Sequence, residues 1–225
     1  MIGVINYGAG NLGSVMNALG RLGAAARFAA GPEKLSLSSG GNTRGFDRII
    51  FPGDGHFATA MAALKQSGYA QALREWIAAD RPFLGICIGL QLLFDWSEEA
   101  QSGCAESQRR SGAPIPPGKD PAAGLGVIPG GVLRFPGRKV PQIGWNQTAA
   151  RPGSRLFRGL PDNSFFYYIH SYYAVPADPS VTAAEAEYYV RYCSAVERGA
   201  LAAVQFHPEK SGAAGIKLLE NWLSS

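Results

Sequence analysis

The sequence predicts an α/β fold with a mostly parallel central sheet and helices on both faces. Short apolar, strand-like segments alternate with amphipathic helical segments through the first half of the chain, and the strand-like segments end in turns that contain Gly or Pro. The composition agrees: of 225 residues, 46% are hydrophobic and 17% are charged, which fits a chain with a sizeable core and argues against disorder. The length fits one large domain over residues 1–225.

Strands and helices alternate in order along the first half of the chain. Residues 3–7 are predicted as the first strand, and residues 14–22 as a helix because Val15, Ala18, Leu19 and Leu22 share one face. Apolar runs bounded by turn residues predict strands over 25–29, 47–51 and 82–87. Helical periodicity predicts helices over 59–66 and 69–79, and the last strand is predicted to continue directly into a helix over 88–96.

The second half is predicted to contain additional, antiparallel β elements. Residues 101–126 are rich in Pro, Gly and Ser and are predicted to form a long surface loop. Residues 35–45 are also expected to form a lengthened segment at the surface. Apolar and aromatic segments then predict β structure over 131–135, 164–173, 184–189, 193–196 and 201–206, before a closing helix over 213–223. Because no clear linker separates these segments, we expect one domain.

Several classes of function are disfavoured by what the sequence lacks. No apolar run reaches the roughly 18 residues that span a membrane. The net charge of +4 is mild and the basic residues form no stripe, so we expect no nucleic-acid partner. The three cysteines lack CxxC spacing, which argues against a zinc site or a disulfide framework. Without a basic leader at the N-terminus, we expect a cytoplasmic protein with no bound metal.

A glycine pattern after the first predicted strand offers an alternative that we do not favour. Residues 8–13 match GxGxxG, the dinucleotide-binding fingerprint, in the right local context. The fingerprint also requires an acidic residue at the end of the second strand, where this chain has Phe28-Ala29-Ala30-Gly31. We therefore expect a tight strand-to-helix turn and no cofactor.

The sharpest local motif is Gly85-Ile86-Cys87-Ile88-Gly89, at the junction of a predicted strand and a predicted helix. This is the pattern of a nucleophile elbow, with cysteine as the nucleophile. A helix that begins at Ile88 would also place its positive dipole end beside the sulfur and favour the thiolate. The alternative is that Cys87 is simply a small buried hydrophobic residue.

A cysteine nucleophile needs a base, and His207 is the best candidate. It follows the predicted strand 201–206, so it lies where α/β folds bring site residues together, at the carboxyl ends of strands. Glu209, two residues on, can orient the imidazole and stabilise its charged form. Cys87, His207 and Glu209 therefore form a candidate catalytic triad, although a lone histidine can also be a surface or core residue.

An oxyanion site is predicted at the turn Pro52-Gly53-Asp54-Gly55, which follows another strand. One backbone donor could come from Gly53 or Asp54, and a second from Ile88, directly after the nucleophile. An ordinary turn would also contain glycine, so this reading depends on the triad. The Asp54 carboxylate has to point away or be paired, since a second negative charge disfavours an oxyanion.

Taken together, these motifs resemble the class I, triad-type glutamine amidotransferases, in which an elbow cysteine and a distant His-Pro-Glu hydrolyse glutamine. Other motifs extend the resemblance over nearly the whole chain and are similar to one branch of the family, the glutaminases of imidazole glycerol phosphate synthase in histidine biosynthesis. They are the segments 6–12 (NYGAGNL), 85–94 (GICIGLQLLF), 144–146 (GWN), 170–173 (HSYY) and 205–211 (QFHPEKS). The resemblance implies a flavodoxin-like sheet.

The resemblance also implies roles for individual residues. Cys87 would attack the glutamine amide, His207 would act as base and acid, and Glu209 would orient it. The resemblance implies substrate contacts at Gly55, Gln91, Glu99, His170 and Ser171. It implies that the residues facing a partner are Asn11, Trp145, Asn146 and Lys210.

The implied partner is a separate cyclase subunit that uses the ammonia, in a heterodimer. A phosphate-binding barrel for the acceptor chemistry would need roughly 250 more residues, so we expect it on another chain. Two alternatives stay open. One is a glutaminase of pyridoxal phosphate or anthranilate synthesis, and the other is a catalytically silent regulatory subunit.

Overall fold

The computed structural model describes residues 1–8, 12–35, 45–99 and 121–225. None of the helices in these ranges is long and apolar enough to cross a membrane. The helices are α1 (Leu12–Arg21), α2 (Phe57–Gln66), α3 (Tyr69–Ala78), α4 (Ile88–Gln91) and α5 (Gly212–Leu223). The strands are β1 (Ile2–Ile5), β2 (Ala26–Ala29), β3 (Arg48–Gly53), β4 (Phe83–Cys87), β5 (Phe94–Ser97), β6 (Ala122–Ala123), β7 (Ile128–Arg134), β8 (Gln142–Ala150), β9 (Ser164–His170), β10 (Tyr172–Pro176), β11 (Thr182–Tyr188), β12 (Val190–Arg198) and β13 (Leu201–Val204).

A parallel sheet in the order β2-β1-β3-β4-β13 forms the centre of the fold. The carboxyl ends of β3, β4 and β13 are neighbours in this order, and each is followed by one of the predicted motifs. Parallel strands present their carboxyl ends at one edge, where α/β proteins form their sites. The topology therefore brings Gly53, Cys87 and the segment that leads to His207 to the same edge.

The helices cover both faces of this sheet, as the sequence predicted. Successive side chains of a strand point to opposite faces. Ile49 and Phe51 of β3 pack in the core beneath α2 and α3, whereas Ile50 packs in the core beneath α1 and α5. Trp76 of α3 and Trp222 of α5 are among the largest fully buried side chains of these two layers. The apolar runs of the strands are thus explained by burial on both faces.

The predicted antiparallel elements of the second half are confirmed, and they extend the same sheet. Strand β12 pairs antiparallel with β13, and the sheet continues through β10, β7, β5 and β6. Strand β11 pairs antiparallel with β12 and with β8, which in turn pairs antiparallel with β9. This antiparallel extension carries the β9 segment back to the catalytic edge, because the backbone N–H of His207 donates to the Tyr167 carbonyl at 2.9 Å.

The predicted helix over 88–96 is wrong beyond its first turn. Helix α4 has four residues and ends at Gln91, and Phe94–Ser97 is a strand that pairs with β7 and β6. Nearly every residue of this segment is buried, so its mostly apolar sequence has no clear helical or strand period. Such a run does not distinguish a buried helix from a buried strand, and here sheet pairing decides.

Two other predictions need correction. The predicted segment 164–173 is two strands that separate at Ser171, because β9 pairs with β8 while β10 pairs with β7 and β12. The predicted loop 101–126 lies outside the described residues up to residue 120, but its end is not a surface loop. Ala122–Ala123 pairs with β5, and Leu125 is buried in the core.

Strand β8 was not predicted at all, because its pattern is inverted. Gln142 and Thr148 are buried, whereas Ile143 and Trp145 are 61% and 56% exposed. Strands are usually recognised by apolar residues that alternate on the buried face. In β8 the polar residues point inward and the apolar residues point outward, so this pattern does not indicate a core strand. This arrangement leaves an apolar surface on the β8–β9 pair.

Candidate active site

Cys87 ends β4 with φ 55° and ψ −108°, a backbone conformation that a residue with a Cβ rarely adopts. This is the geometry that the elbow motif predicted, since it turns the chain sharply and projects the side chain. The side chain is 5% exposed. One expected contribution is missing, because a four-residue helix has no macrodipole comparable to that of a long helix.

The glycines of the elbow are required because the backbone is packed too tightly for side chains. A Cβ at Gly89 would overlap the carbonyl oxygen of Phe51, and one at Gly85 would lie 2.8 Å from the Gly89 carbonyl oxygen and 3.0 Å from the Cβ of Ala203. The elbow is therefore pressed against β3 and β13, which fixes the position of Cys87.

His207 and Glu209 form a buried pair beside the elbow. Nδ1 of His207 lies 2.8 Å from Oε1 of Glu209, and the two side chains are 4% and 2% exposed. The carboxylate can only accept, so Nδ1–H donates and Nε2 is left to face the reaction. Nε2 is buried and has no hydrogen-bond partner among the described residues. Ser211 holds the backbone here, since its hydroxyl donates to the His207 carbonyl at 2.6 Å and accepts from the Tyr167 N–H at 3.0 Å.

The pKa of His207 is raised from 6.5 to about 10. Burial alone would lower the pKa, but Glu209 favours the imidazolium through its hydrogen bond and its charge, and the nearby Cys87 also favours it. A histidine held as imidazolium beside a cysteine is the arrangement used to activate a thiol nucleophile.

The oxyanion turn follows β3 beside the elbow, and Gly53 is paired in register with Cys87. A Cβ at Gly53 would overlap the Tyr7 hydroxyl and would lie 3.1 Å from the side chain of Ile88. The Tyr7 hydroxyl is buried without a hydrogen-bond partner among the described residues, and its pKa is raised by burial, by Asp54 and by Cys87. Asp54 itself is exposed. Sequence reasoning missed Tyr7, which packs under the turn.

A cavity of about 270 Å³ opens above Cys87 and His207. It brings together most of the predicted substrate and oxyanion residues, since its lining includes Asp54, Gly55, Ile88, Gln91, Glu99, His170 and Ser171. Lys210, which was predicted to face the partner, also lines it. The lining residues that sequence reasoning did not single out are Pro141, Ile169 and Tyr172. Tyr172 stands inside the HSYY motif, which could have indicated it.

Gln91 and Glu99 are fixed by different contacts. Nε2 of Gln91 donates to the Tyr172 carbonyl at 2.9 Å and to Oε1 of Gln205 at 3.0 Å, which uses both of its hydrogens. Glu99 accepts the Phe57 N–H at 2.8 Å through Oε2, while Oε1 lies 3.9 Å from Nε2 of His56. Burial raises the pKa of Glu99, against the Phe57 hydrogen bond and the nearby His56. A cation bound in the cavity beside Glu99 would offset this effect of burial, because it stabilises the charged carboxylate.

His170 is a neutral residue at the cavity wall. Burial lowers its pKa to about 4. Its Nδ1–H donates to the Tyr172 carbonyl at 2.8 Å, and its Nε2 lies 3.3 Å from the Tyr192 hydroxyl. Because the ring is held from both sides and does not carry charge, it is suited to shape the cavity rather than to transfer protons.

The predicted partner-facing residues do not form one group. Trp145 is exposed and packs against Tyr167, whereas the adjacent Asn146 points to the opposite face of β8 and donates to the Glu187 carbonyl at 3.0 Å. Asn11 lies outside the described residues. Cys193 is buried in β12, and burial raises its pKa to about 12. The described residues contain no cluster of three metal-ligating side chains.

Comparison with known proteins identifies the family. The model of the glutamine amidotransferase class-I family matches residues 4–224. The chain is 42% identical over 227 residues to the imidazole glycerol phosphate synthase subunit HisH of Synechococcus sp. strain JA-3-3Ab, covering 99% of this chain and 92% of that protein. It is 41% identical to the subunit HisH of Dehalococcoides mccartyi strain 195, covering 99% of this chain and 96% of that protein. Both relatives are named as subunits.

Solved structures agree on the fold. A crystal structure of a glutamine amidotransferase superposes with a TM-score of 0.68 at 19% identity, covering 99% of this chain and 97% of that chain. The structure of PurLQS from Thermotoga maritima superposes with the same TM-score at 15% identity and the same coverage. The chain belongs to the class I glutamine amidotransferases and, within them, to the family of imidazole glycerol phosphate synthase subunit HisH.

Proposed function

We propose that this chain hydrolyses glutamine with Cys87, His207 and Glu209 and delivers the ammonia to a cyclase subunit that makes imidazole glycerol phosphate. The observation that carries the proposal is the convergence of three distant segments on one cavity. The strained Cys87, the buried His207–Glu209 pair and the cavity residues Gln91 and Glu99 meet at the carboxyl edge of the parallel sheet.

The first half of the reaction is an acyl transfer to sulfur. The Cys87 thiolate attacks the side-chain amide carbon of glutamine, and the carbonyl oxygen becomes an oxyanion. Backbone N–H groups of Ile88 and of Gly53 or Asp54 are the proposed donors to that oxyanion. His207 then gives its Nε2 proton to the amide nitrogen, the C–N bond breaks, and ammonia leaves a glutamyl thioester on Cys87.

The second half regenerates the enzyme. Neutral His207 takes a proton from water, the hydroxide adds to the thioester, and the C–S bond breaks to release glutamate and the Cys87 thiolate. Glu209 keeps Nδ1–H pointed away from the reaction throughout, so that Nε2 is always the nitrogen that exchanges the proton. Glu99 is the proposed partner of the glutamine α-ammonium group, and Gln91 offers Oε1 because both hydrogens of its Nε2 are already used.

Substitution of Cys87 tests the catalytic part of the proposal. Cys87→Ala is expected to abolish imidazole glycerol phosphate synthesis from glutamine in the presence of the cyclase, while synthesis from added ammonium salt persists. Cys193→Ala is the matched control, since it removes another buried cysteine, and it is expected to retain glutamine-dependent synthesis. Full glutamine-dependent activity of Cys87→Ala would contradict the proposal.

The apolar surface of the β8–β9 pair supports the second part of the proposal, a docked partner. In the register of this pair, Ile143 lies opposite Ile169 and Trp145 opposite Tyr167. Ile143, Trp145, Phe165 and Ile169 are between 41% and 61% exposed, although they share one side of the pair. A contiguous exposed apolar surface is typical of an interface. Ile169 also lines the cavity, so this surface borders the place where ammonia forms.

Charge substitution on this surface tests the docking. Ile143→Glu is expected to weaken binding of the cyclase subunit by about tenfold or more, because the carboxylate would have to be desolvated in the interface. Phe28→Ala, at an exposed apolar residue of the edge strand β2, is the control and is expected to bind normally. Isothermal titration calorimetry measures both. Equal affinities of Ile143→Glu and the unmodified chain would place the partner elsewhere.

A further inference from the structure

Gln205 is a buried polar residue that the catalytic triad does not use. It follows β13, two residues before His207, and it has no exposed surface. Its backbone N–H donates to the Ser194 carbonyl at 2.8 Å. Its side-chain amide lies between the nucleophile and the cavity wall, with Nε2 3.7 Å from the Cys87 sulfur and Oε1 3.0 Å from Nε2 of Gln91.

The orientation of the Gln205 amide is fixed by a chain of hydrogen bonds. The Tyr172 carbonyl can only accept, so the end of the Gln91 amide that faces it must be Nε2. That nitrogen also donates to Gln205, so the end of the Gln205 amide facing Gln91 must be Oε1. The remaining end of the Gln205 amide, Nε2, therefore has to point an N–H at the Cys87 sulfur.

This N–H acts on the protonation state of the sulfur. The Ile169 carbonyl lies 3.8 Å from the Cys87 sulfur on another side and can only accept, so it favours the protonated thiol. A donor to the sulfur favours the thiolate instead, because hydrogen bonding to the charged form stabilises it. Of these two neutral groups, the Gln205 amide therefore favours the thiolate, whereas the Ile169 carbonyl favours the thiol.

We propose that Gln205 is a positioning residue for glutamine hydrolysis, which presents a fixed N–H to the Cys87 sulfur and favours the thiolate against the opposing effect of the Ile169 carbonyl. The inference rests on the proposed role of Cys87 as the nucleophile. The same amide also accepts a hydrogen bond from Gln91, so one side chain contacts both the nucleophile and a residue that lines the cavity. Gln205 is not among the residues that line the cavity, so it acts through Cys87 and Gln91.

Gln205→Glu separates the two contacts of the amide. A glutamate at 205 still offers an oxygen to Nε2 of Gln91, so the brace on the substrate wall is kept. Its other oxygen faces the Cys87 sulfur without a hydrogen and with negative charge, which disfavours the thiolate. The added charge acts on the sulfur whether or not Gln205 donates to it, so a second variant has to isolate the loss of the donor.

The test measures the alkylation rate of Cys87 by iodoacetamide as a function of pH on the full chain, with the adduct assigned by peptide mass spectrometry. Gln205→Glu is expected to shift the midpoint of the pH–rate profile upward by about one unit or more. In the complex with the cyclase, kcat for glutamine is expected to fall roughly 10- to 100-fold while KM stays within about threefold. Gln71→Glu makes the same substitution on the exposed face of α3 and is expected to change neither quantity.

Gln205→Met provides a second variant, since it removes the donor without burying a charge. It is expected to shift the alkylation midpoint in the same direction, with circular dichroism confirming that the variant is folded. An unshifted midpoint in a folded Gln205→Glu or Gln205→Met variant would overturn the inference. If Cys87 of the unmodified chain were not alkylated at any pH, the proposed function itself would fail, so the two failures are distinguishable.

Discussion

Oε1 of Glu209 lies 2.8 Å from Nδ1 of His207, with both side chains almost completely removed from solvent. The pair is therefore not an exposed surface ion pair of small energetic effect. It determines which nitrogen of the imidazole carries the permanent hydrogen and leaves Nε2 for the proposed proton exchange with Cys87 and the substrate.

Glu209→Gln is expected to lower kcat/KM for glutamine by about 10²- to 10⁴-fold, because a neutral amide stabilises the imidazolium less and can hold the ring in the wrong tautomer. Steady-state glutaminase assays with the cyclase present would measure the loss. Glu220→Gln on the exposed surface of α5 is the control. A Glu209→Gln enzyme within twofold of the unmodified enzyme would contradict the role of the carboxylate.

The raised pKa of His207 also predicts how stability depends on pH. The pKa is about 10 in the folded chain against an ordinary value of 6.5, because Cys87 and Glu209 outweigh burial. The folded state binds this proton more tightly than the unfolded state, so the stabilisation is complete below pH 6.5 and is lost as the pH rises through 10. Denaturant unfolding should show the stability difference between the unmodified chain and His207→Gln narrowing across this range. A difference in the free energy of unfolding that stays constant with pH would contradict the link between the His207 proton and stability.

The elbow predicts opposite effects for two glycine substitutions. Gly89→Ala is expected to destabilise the fold by about 1–3 kcal/mol, since the new methyl group overlaps the Phe51 carbonyl oxygen. Gly20→Ala in α1 meets nothing within 4 Å and is expected to be neutral or to stabilise by about 0.5–1 kcal/mol, because alanine is the better helix former. Urea denaturation of the two variants compares them directly. Equal effects would mean that the elbow is looser than described.

Glu99→Gln is expected to raise KM for glutamine roughly 10- to 100-fold with a small effect on kcat, because it removes the charge proposed to bind the α-ammonium group. Since burial raises the pKa of Glu99, KM of the unmodified enzyme should also rise as the pH falls and the carboxylate is protonated. Glutaminase kinetics at several pH values would measure both effects. Glu98→Gln, at a half-buried neighbour on the same segment that is not among the residues lining the cavity, is the control. A KM of Glu99→Gln equal to that of the unmodified enzyme would contradict the proposed contact between Glu99 and the substrate.

The sequence predicted the parts of the molecule in which local chemistry and global fold agree. The parallel strands are apolar and end in glycine-containing turns, so β3, β4 and the segment before His207 were recognisable as neighbours at one edge. The positions of Cys87, His207 and Glu209 were predictable because the elbow glycines around Cys87 and the proline between His207 and Glu209 impose local geometry.

The parts that sequence reasoning missed depend on contacts between distant segments. Phe94–Ser97 became a strand only because β7 and β6 lie beside it. Strand β8 was missed because its apolar side chains face outward. Gln205 stood inside a recognised motif, but its function depends on Tyr172, Gln91 and Cys87, which come from three other elements.

The conformation of Cys87 has a consequence for any search for more stable variants of this chain. Its φ of 55° and ψ of −108° are close to the mirror image of ordinary extended backbone, which glycine adopts freely and cysteine does not. Cys87→Gly is therefore expected to unfold at higher temperature than the unmodified chain and to be inactive. Selection for folding alone would enrich inactive sequences at this position, so only a screen that demands turnover would retain the cysteine.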